Sequence, residues 1–188
     1  ARCTRSVTKA LMILVALVLV GCGSIGMDEE AHFQRGLELE ARGDLRAATI
    51  EFKNALQQNP SHAEARLRLA GVSLRLGDTD TARNELRRAN ELGADPLDAS
   101  LLLARIAMLD RDYAAVIERL GAIDPADADA ASKADIHLLL GEALAALGDA
   151  DAAIAAFEQA LEQPTQPALA HVGIAAVHIA NQRLGDAQ

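Results

Sequence analysis

A pattern that recurs about every 34 residues constrains this 188-residue chain more than any other feature of its sequence. Five similar six-residue segments each end at a small residue, and these ends advance by 34, 34, 37 and 34 positions: Gly36, Ala70, Ala104, Gly141 and Ala175. A period of this length is typical of stacked units that are each too small to bury their own apolar face. The chain is therefore expected to be a repeat array.

Each period contains two helical stretches separated by a short turn. The turns read Gly43-Asp44, Gly77-Asp78, Arg111-Asp112 and Gly148-Asp149, where glycine suits the left-handed end of one helix and aspartate the N-cap of the next. Alanine and leucine dominate the chain and aromatic residues make up only 2%, which favours closely packed helices. The predicted helices are 29–41, 45–58, 63–75, 79–92, 97–109, 113–122, 131–146, 150–162 and 167–180.

A second set of small residues supports this register. Small side chains open the second stretch at Ala48, Ala82, Ala153 and Ala187, and close it at Ala55, Ala89 and Ala160, after the bulky Phe52, Leu86 and Phe157. Together with Pro60 and the turns, these columns resemble the tetratricopeptide repeat. The resemblance implies an all-α solenoid of antiparallel helix pairs. Its repeats would be 29–62, 63–96, 97–133, 134–167 and a truncated 168–188.

The third repeat departs from the pattern. It has Val116 and Ile123 where the other repeats have alanine, and Leu120 at the bulky position between them, and three extra residues fall within 124–133. We expect its helix pair to be shifted and the following loop to be longer. An unpaired last helix within 168–188 is expected to be the least stable part of the stack.

The first 21 residues have the anatomy of an export signal. Arg2, Arg5 and Lys9 precede an apolar run over 10–20, which is too short to span a bilayer permanently. Leu19-Val20-Gly21-Cys22 then matches the lipobox of bacterial lipoproteins, which implies a signal peptide at 1–21, a lipid anchor on Cys22 and a short linker at 22–28. The alternatives are an ordinary signal peptide or an uncleaved anchor.

Charge and cysteine content narrow the possible partners. Removal of residues 1–21, with three basic residues and no acidic one, would take the net charge from −9 to −12. Such a surface repels nucleic acid and anionic headgroups, so nucleic-acid binding is not expected. The same cleavage would leave Cys22 as the single cysteine, which excludes an intramolecular disulfide and a zinc–thiolate site.

The residues that could in principle bind a metal or act in catalysis are better explained by structural roles. The aspartates at 78, 80, 124, 127, 129, 149 and 151 lie in or near interhelix turns and lack the spacing of a calcium loop. His32, His137 and His171 recur at one repeat position but in different repeats, and His178 lies two turns after His171. No nucleophile–base pair or phosphate loop is evident. We therefore expect no metal, no cofactor and no enzyme activity.

The resemblance assigns partner binding to the concave groove lined by the first helix of each pair. It places one column of residues there: Phe33, Leu67, Leu101, Leu138 and Val172. It places further groove positions nearby: Leu37, Glu40, Leu74, Arg105, Met108, Glu142, Ala176 and Ile179. The alternative is that part of the column is buried between helices. Docking of a protein segment is favoured, whereas direct sugar binding is not, because only four aromatic residues are present.

A narrower resemblance rests on two stretches, 52–60 and 84–96, taken together with the lipobox. They are similar to the long tetratricopeptide lipoproteins of the PEP-CTERM/exosortase system, which accompany exopolysaccharide production and protein sorting. This implies an envelope scaffold, lipid-anchored at the outer membrane, and a parent chain several times longer. The main alternative is an outer-membrane assembly lipoprotein for a pilus secretin or for β-barrel insertion. A third is an enzyme subunit with catalysis elsewhere in the chain.

Overall fold

The computed structural model describes residues 28–124 and 128–185. Throughout these ranges the regular structure is helical: α1 Glu29–Ala41, α2 Leu45–Gln58, α3 Ala63–Arg75, α4 Thr79–Glu91, α5 Pro96–Asp110, α6 Tyr113–Gly121, α7 Ala130–Leu147, α8 Ala150–Leu161 and α9 Pro167–Gly185. The predicted signal peptide at 1–21, its lipobox, all but the last residue of the linker at 22–28, and Ala187 lie outside the described residues. Within the described part, no helix combines the length and apolar character needed to cross a membrane.

Aspartate starts most of these helices, as the turn pattern predicts. The Asp44 carboxylate accepts a hydrogen bond from the Ala47 N–H, and Asp28, Asp78, Asp95, Asp112, Asp129 and Asp149 cap their helices in the same way. Hydrogen bonds from Thr81 lower the pKa of Asp78. The interpretation of the turn aspartates as caps is confirmed for Asp78, Asp129 and Asp149, whereas Asp80 and Asp151 lie within the first turn of their helices.

The helix boundaries follow the predicted ones closely, with one exception. The first three helices begin and end at the predicted residues, and the next five differ by at most one residue at each end. Only α9 runs well past the predicted end, to Gly185. Its repeat has Gln182 and Arg183 where the preceding one has Gly148 and Asp149. Both are good helix formers, so nothing ends the helix there.

The helices stack in chain order, each one in contact with the next. The first helices of successive pairs also touch, α3 with α5, α5 with α7 and α7 with α9, so these helices share one face of the stack. Four apolar clusters follow one another along the array. The stack therefore has a segmented core, as expected of an all-α solenoid.

Aromatic rings packed on glycine fix the spacing in the first and fourth pairs. A Cβ atom built on Gly36 would lie 2.5 Å from the Phe52 ring, and one on Gly141 would lie 2.7 Å from the Phe157 ring. Both rings are almost completely buried. In these two pairs the glycine is thus needed because the second helix inserts a large side chain there.

In the third helix pair, aliphatic side chains fill the space that an aromatic ring fills in the first and fourth pairs. Val116 and Leu120 are fully buried between α6 and its neighbours. Helix α6 has nine residues and is the shortest of the described helices. Part of the predicted insertion, 125–127, lies outside the described residues.

Candidate functional site

A cavity of about 530 Å³ opens on the face formed by the first helices of the pairs. We call it the α3–α5 cavity, because those two helices provide most of its lining. Its apolar residues are Leu67, Gly71, Leu74, Leu101, Leu102 and Leu109, and its charged residues are Glu40, Arg68, Arg75, Asp98, Arg105 and Asp135. Every lining residue belongs to α1, α3, α5 or α7.

Helical spacing brings these residues to one surface. In α3 the apolar lining residues Leu67, Gly71 and Leu74 are four and three positions apart, and in α5 Leu102, Arg105 and Leu109 follow the same rule. Residues at this spacing share one side of a helix. The cavity is therefore a product of the repeat register on two neighbouring helices.

Ion pairs connect the first helices around the cavity. Arg75 Nη1 lies 3.5 Å from Glu40 Oε1, which links α3 to α1, and Arg105 Nη2 donates to Asp135 Oδ2 at 2.6 Å, which links α5 to α7. All four side chains are partly exposed. Exposed pairs of this kind contribute little stability, so they remain available to a charged partner.

Two further charged side chains, Arg68 and Asp98, contribute polar groups to the cavity lining. Arg68 pairs with Glu64 on its own helix at 3.5 Å, while its buried Nε atom has no hydrogen-bond partner among the described residues. Burial raises the pKa of Asp98, as does the neighbouring Asp95, while Arg68 lowers it. A donor and an acidic group thus stand beside the apolar floor, an arrangement suited to the polar groups of a bound chain.

The structure brings together some of the predicted groove residues and separates others. Five of them, Glu40, Leu67, Leu74, Leu101 and Arg105, line the α3–α5 cavity. Glu142 and Ala176 line a second cavity, between α7 and α9. Leu37 and Met108 are partly buried and pack against the core clusters of their own repeats.

Two residues of the predicted apolar column, Phe33 and Leu138, are buried in the core of the stack. Phe33 and Leu138 are 4% and 6% exposed, and the Phe33 ring centroid lies 4.6 Å from that of His62. These two side chains belong to the core instead of a partner-contacting stripe, because the following helices cover them. Val172 occupies the same register position but is 66% exposed, since no described helix follows α9.

Sequence reasoning missed several residues of the α3–α5 cavity. Arg68, Gly71, Arg75, Asp98, Leu102, Leu109 and Asp135 line it but were not singled out. A signal was available for some of them, because Gly71 lies one turn from Leu67, and Leu109 one turn from Arg105. For Asp135 there was none, since its approach to Arg105 depends on how α7 sits against α5.

The recurring histidines have structural surroundings that differ between repeats. In the first repeat His32 Nδ1 lies 2.6 Å from Glu51 Oε2, and in the second repeat Arg66 takes that position and pairs with Glu85. The fourth repeat has Ala156 in place of the glutamate. His137 Nδ1 is consequently buried without a partner among the described residues, and burial lowers the pKa of His137.

Sequence comparison matches two parts of the chain to one repeat family. A family profile described as tetratricopeptide repeat covers residues 39–106, and a second profile with the same description covers 134–164. Together they span just over half of the chain. Comparison with curated protein sequences gives no match.

Solved structures with this arrangement of helices come from several proteins. A thermophilic TPR protein of Thermus thermophilus is 25% identical with a TM-score of 0.63, covering 85% of this chain and 86% of that chain. PilW, a type IV pilus biogenesis factor, is 24% identical with a TM-score of 0.66, covering 85% and 72%. YrrB, a TPR protein with an unusual peptide-binding site, is 18% identical with a TM-score of 0.58, covering 82% and 78%.

Proposed function

Because the chain belongs to the tetratricopeptide repeat family, we propose that it is a scaffold that holds a segment of another protein against its first helices. The observation that carries this proposal is the α3–α5 cavity, which combines a leucine floor with a charged rim on one open surface. Burial of apolar side chains provides affinity in such a groove, and complementary charges steer encounter and fix register. A non-catalytic role agrees with this lining.

Cross-linking in the full-length protein tests this proposal directly. A photo-reactive amino acid at position 109, in the cavity and 62% exposed as leucine, is expected to capture a defined polypeptide in the producing bacterium. The matched control is position 50 on α2, where isoleucine is 60% exposed but lies outside the cavity. Mass spectrometry identifies the products. Equal capture at both positions, or a carbohydrate adduct at position 109, would refute the groove assignment.

We further propose that the scaffold is a lipoprotein of the bacterial cell envelope, acting in exopolysaccharide production linked to PEP-CTERM protein sorting. The support for this finer role is in the sequence: the lipobox at Leu19–Cys22 and the two stretches at 52–60 and 84–96. The concave groove would hold envelope proteins or peptides, and the acylated Cys22 would tether the protein to the periplasmic face of the outer membrane. Direct sugar binding is not part of this role.

The second candidate is an assembly lipoprotein for a pilus secretin or for β-barrel insertion. It is retained because PilW, described as a pilus biogenesis factor, has the same fold; at 24% identity that likeness shows the fold alone. Gene neighbourhood separates the two candidates. Exosortase and glycosyltransferase genes beside this one favour the first candidate, and pilus or barrel-assembly genes favour the second.

Metabolic labelling tests the lipid anchor. With a palmitate analogue, the Cys22→Ser variant is expected to lose its label, because the thiol that receives the lipid is gone. Cys3→Ser is the matched control, since Cys3 lies in the segment that cleavage would remove, and its label should be unchanged. Persistent labelling of Cys22→Ser would rule out this anchor.

A further inference from the structure

The second cavity, of about 340 Å³, repeats the α3–α5 cavity two repeats later in the chain. We call it the α7–α9 cavity. Glu142 and Ala145 on α7 occupy the register positions of Gly71 and Leu74 on α3. Gly173, Ala176 and Ala180 on α9 occupy those of Leu102, Arg105 and Leu109 on α5. The two cavities thus share five register positions, while Ala150 and Phe157 on α8 also line the second one.

The two cavities differ in the size of their side chains. At four of the five equivalent positions the α7–α9 cavity has alanine or glycine where the α3–α5 cavity has leucine or arginine. The Phe157 ring lines it and is fixed between two glycines, since a Cβ atom on Gly141 or on Gly173 would lie 2.7 Å or 2.5 Å from the ring. The cavity is therefore a preformed apolar space with an aromatic wall.

Its electrostatic character also differs. Among the side chains that the structure describes, Glu142 is the one ionisable group that lines it, whereas three arginines line the α3–α5 cavity. No ion pair involves Glu142 among the described residues. Partial burial raises the pKa of Glu142, and the charge of Arg105 opposes that shift. An acidic group beside an apolar space favours a cationic neighbour and disfavours an anionic one.

Building on the proposed function, we infer that the α7–α9 cavity is a subsite for one large apolar side chain, aromatic or branched, of the bound segment, with an adjacent lysine or arginine paired to Glu142. A space of this volume accepts a whole side chain without repacking of the wall. Aromatic side chains seated in such pockets typically dominate binding energy. The net charge of −9 also favours a basic segment.

Two variants fill the cavity with residues that the repeat already accepts elsewhere. Ala145→Leu introduces the equivalent of Leu74, and Ala180→Leu the equivalent of Leu109. Glu142→Gln removes the charge and keeps the shape. The matched control is Ala155→Leu, because Ala155 is exposed on α8 and lines neither cavity. Thermal melts followed by circular dichroism establish that each variant is folded before binding is measured.

The probes are three labelled synthetic peptides of equal length that contain Lys-Phe-Lys, Lys-Ala-Lys or Glu-Phe-Glu in one neutral sequence, titrated against the full chain by fluorescence anisotropy. The Lys-Phe-Lys peptide is expected to bind, and replacing its phenylalanine by alanine should weaken binding about tenfold or more. Ala145→Leu and Ala180→Leu should cause a similar loss, and Ala155→Leu none. Glu142→Gln should reduce the preference for lysine over glutamate, leaving only the part that comes from the net charge of the chain.

Three results would overturn this subsite: no binding of the Lys-Phe-Lys peptide, binding unchanged in the folded cavity-filling variants, or equal binding of the Glu-Phe-Glu peptide. Dimerisation of the free protein that Ala145→Leu abolishes would also overturn it, because a second copy would then be the occupant. Each result leaves the cross-linking at position 109 unaffected. Failure of the subsite is therefore distinguishable from failure of the proposed scaffold function.

Discussion

A Gly141→Leu variant is expected to unfold with a free energy lower by about 3 kcal/mol, the upper part of the usual range for overpacking a core. A Cβ atom at this position would lie 2.7 Å from the Phe157 ring. That ring is held between two backbones, because a Cβ atom on Gly173 of α9 would also lie only 2.5 Å from it. The variant would therefore force apart α7, α8 and α9 together. Denaturation midpoints measured in urea give the change.

Three comparisons show whether the cause is this contact. Gly121→Leu is the matched control, since Gly121 lies in α6 and a Cβ there meets no atom within 4 Å; its stability should not fall. Asp44→Ala removes a helix cap and should cost about 1 kcal/mol, whereas Asp44→Asn keeps a capping oxygen and should cost little. If Asp44→Ala destabilised the protein more than Gly141→Leu, the repeat register assigned here would be incorrect.

The fold was predictable because the repeats carry similar structural residues at equivalent positions. Gly36 and Gly141 mark the close contact within a pair, and Asp44 and Asp149 mark the start of a second helix, so one correct alignment fixes all the helices. The end of α9 was not predictable in this way, because Gln182 and Arg183 break the pattern without replacing it by a stop signal. Local residues determine where a helix ends, so a helix end can be predicted from the repeat only where the turn residues recur.

The site was only partly predictable, because it depends on how far a side chain is covered by a neighbouring helix. Leu101 and Leu109 both lie on α5 and both line the α3–α5 cavity, yet they are 7% and 62% exposed. The sequence pattern does not distinguish them. Leu101 faces the core formed with α6 and α7, whereas Leu109 lies near the end of its helix, beyond the reach of those neighbours.

The burial of Leu101 predicts a second large loss of stability. Leu101→Asp is expected to lower the free energy of unfolding by about 3 kcal/mol, because it removes a buried leucine and places a carboxylate in the apolar cluster with Val116, Leu120 and Ile136. If Leu101 were instead an exposed groove residue, the same substitution would cost little stability. Urea denaturation followed by circular dichroism measures the loss.

Leu109→Asp makes the same substitution on the same helix and is the matched variant. Its side chain is mostly exposed, so the unfolding free energy should change by no more than about 0.5 kcal/mol. It nevertheless puts a carboxylate at the mouth of the α3–α5 cavity, close to the apolar floor that the proposed partner would cover. For this test the photo-reactive amino acid is moved to position 102 of the same cavity. There it is expected to capture the partner in the parent protein but not in the Leu109→Asp variant, although that variant remains fully helical. If both aspartate variants were equally stable, Leu101 would be a surface residue, and the packing of α5 against α6 and α7 described above would be wrong.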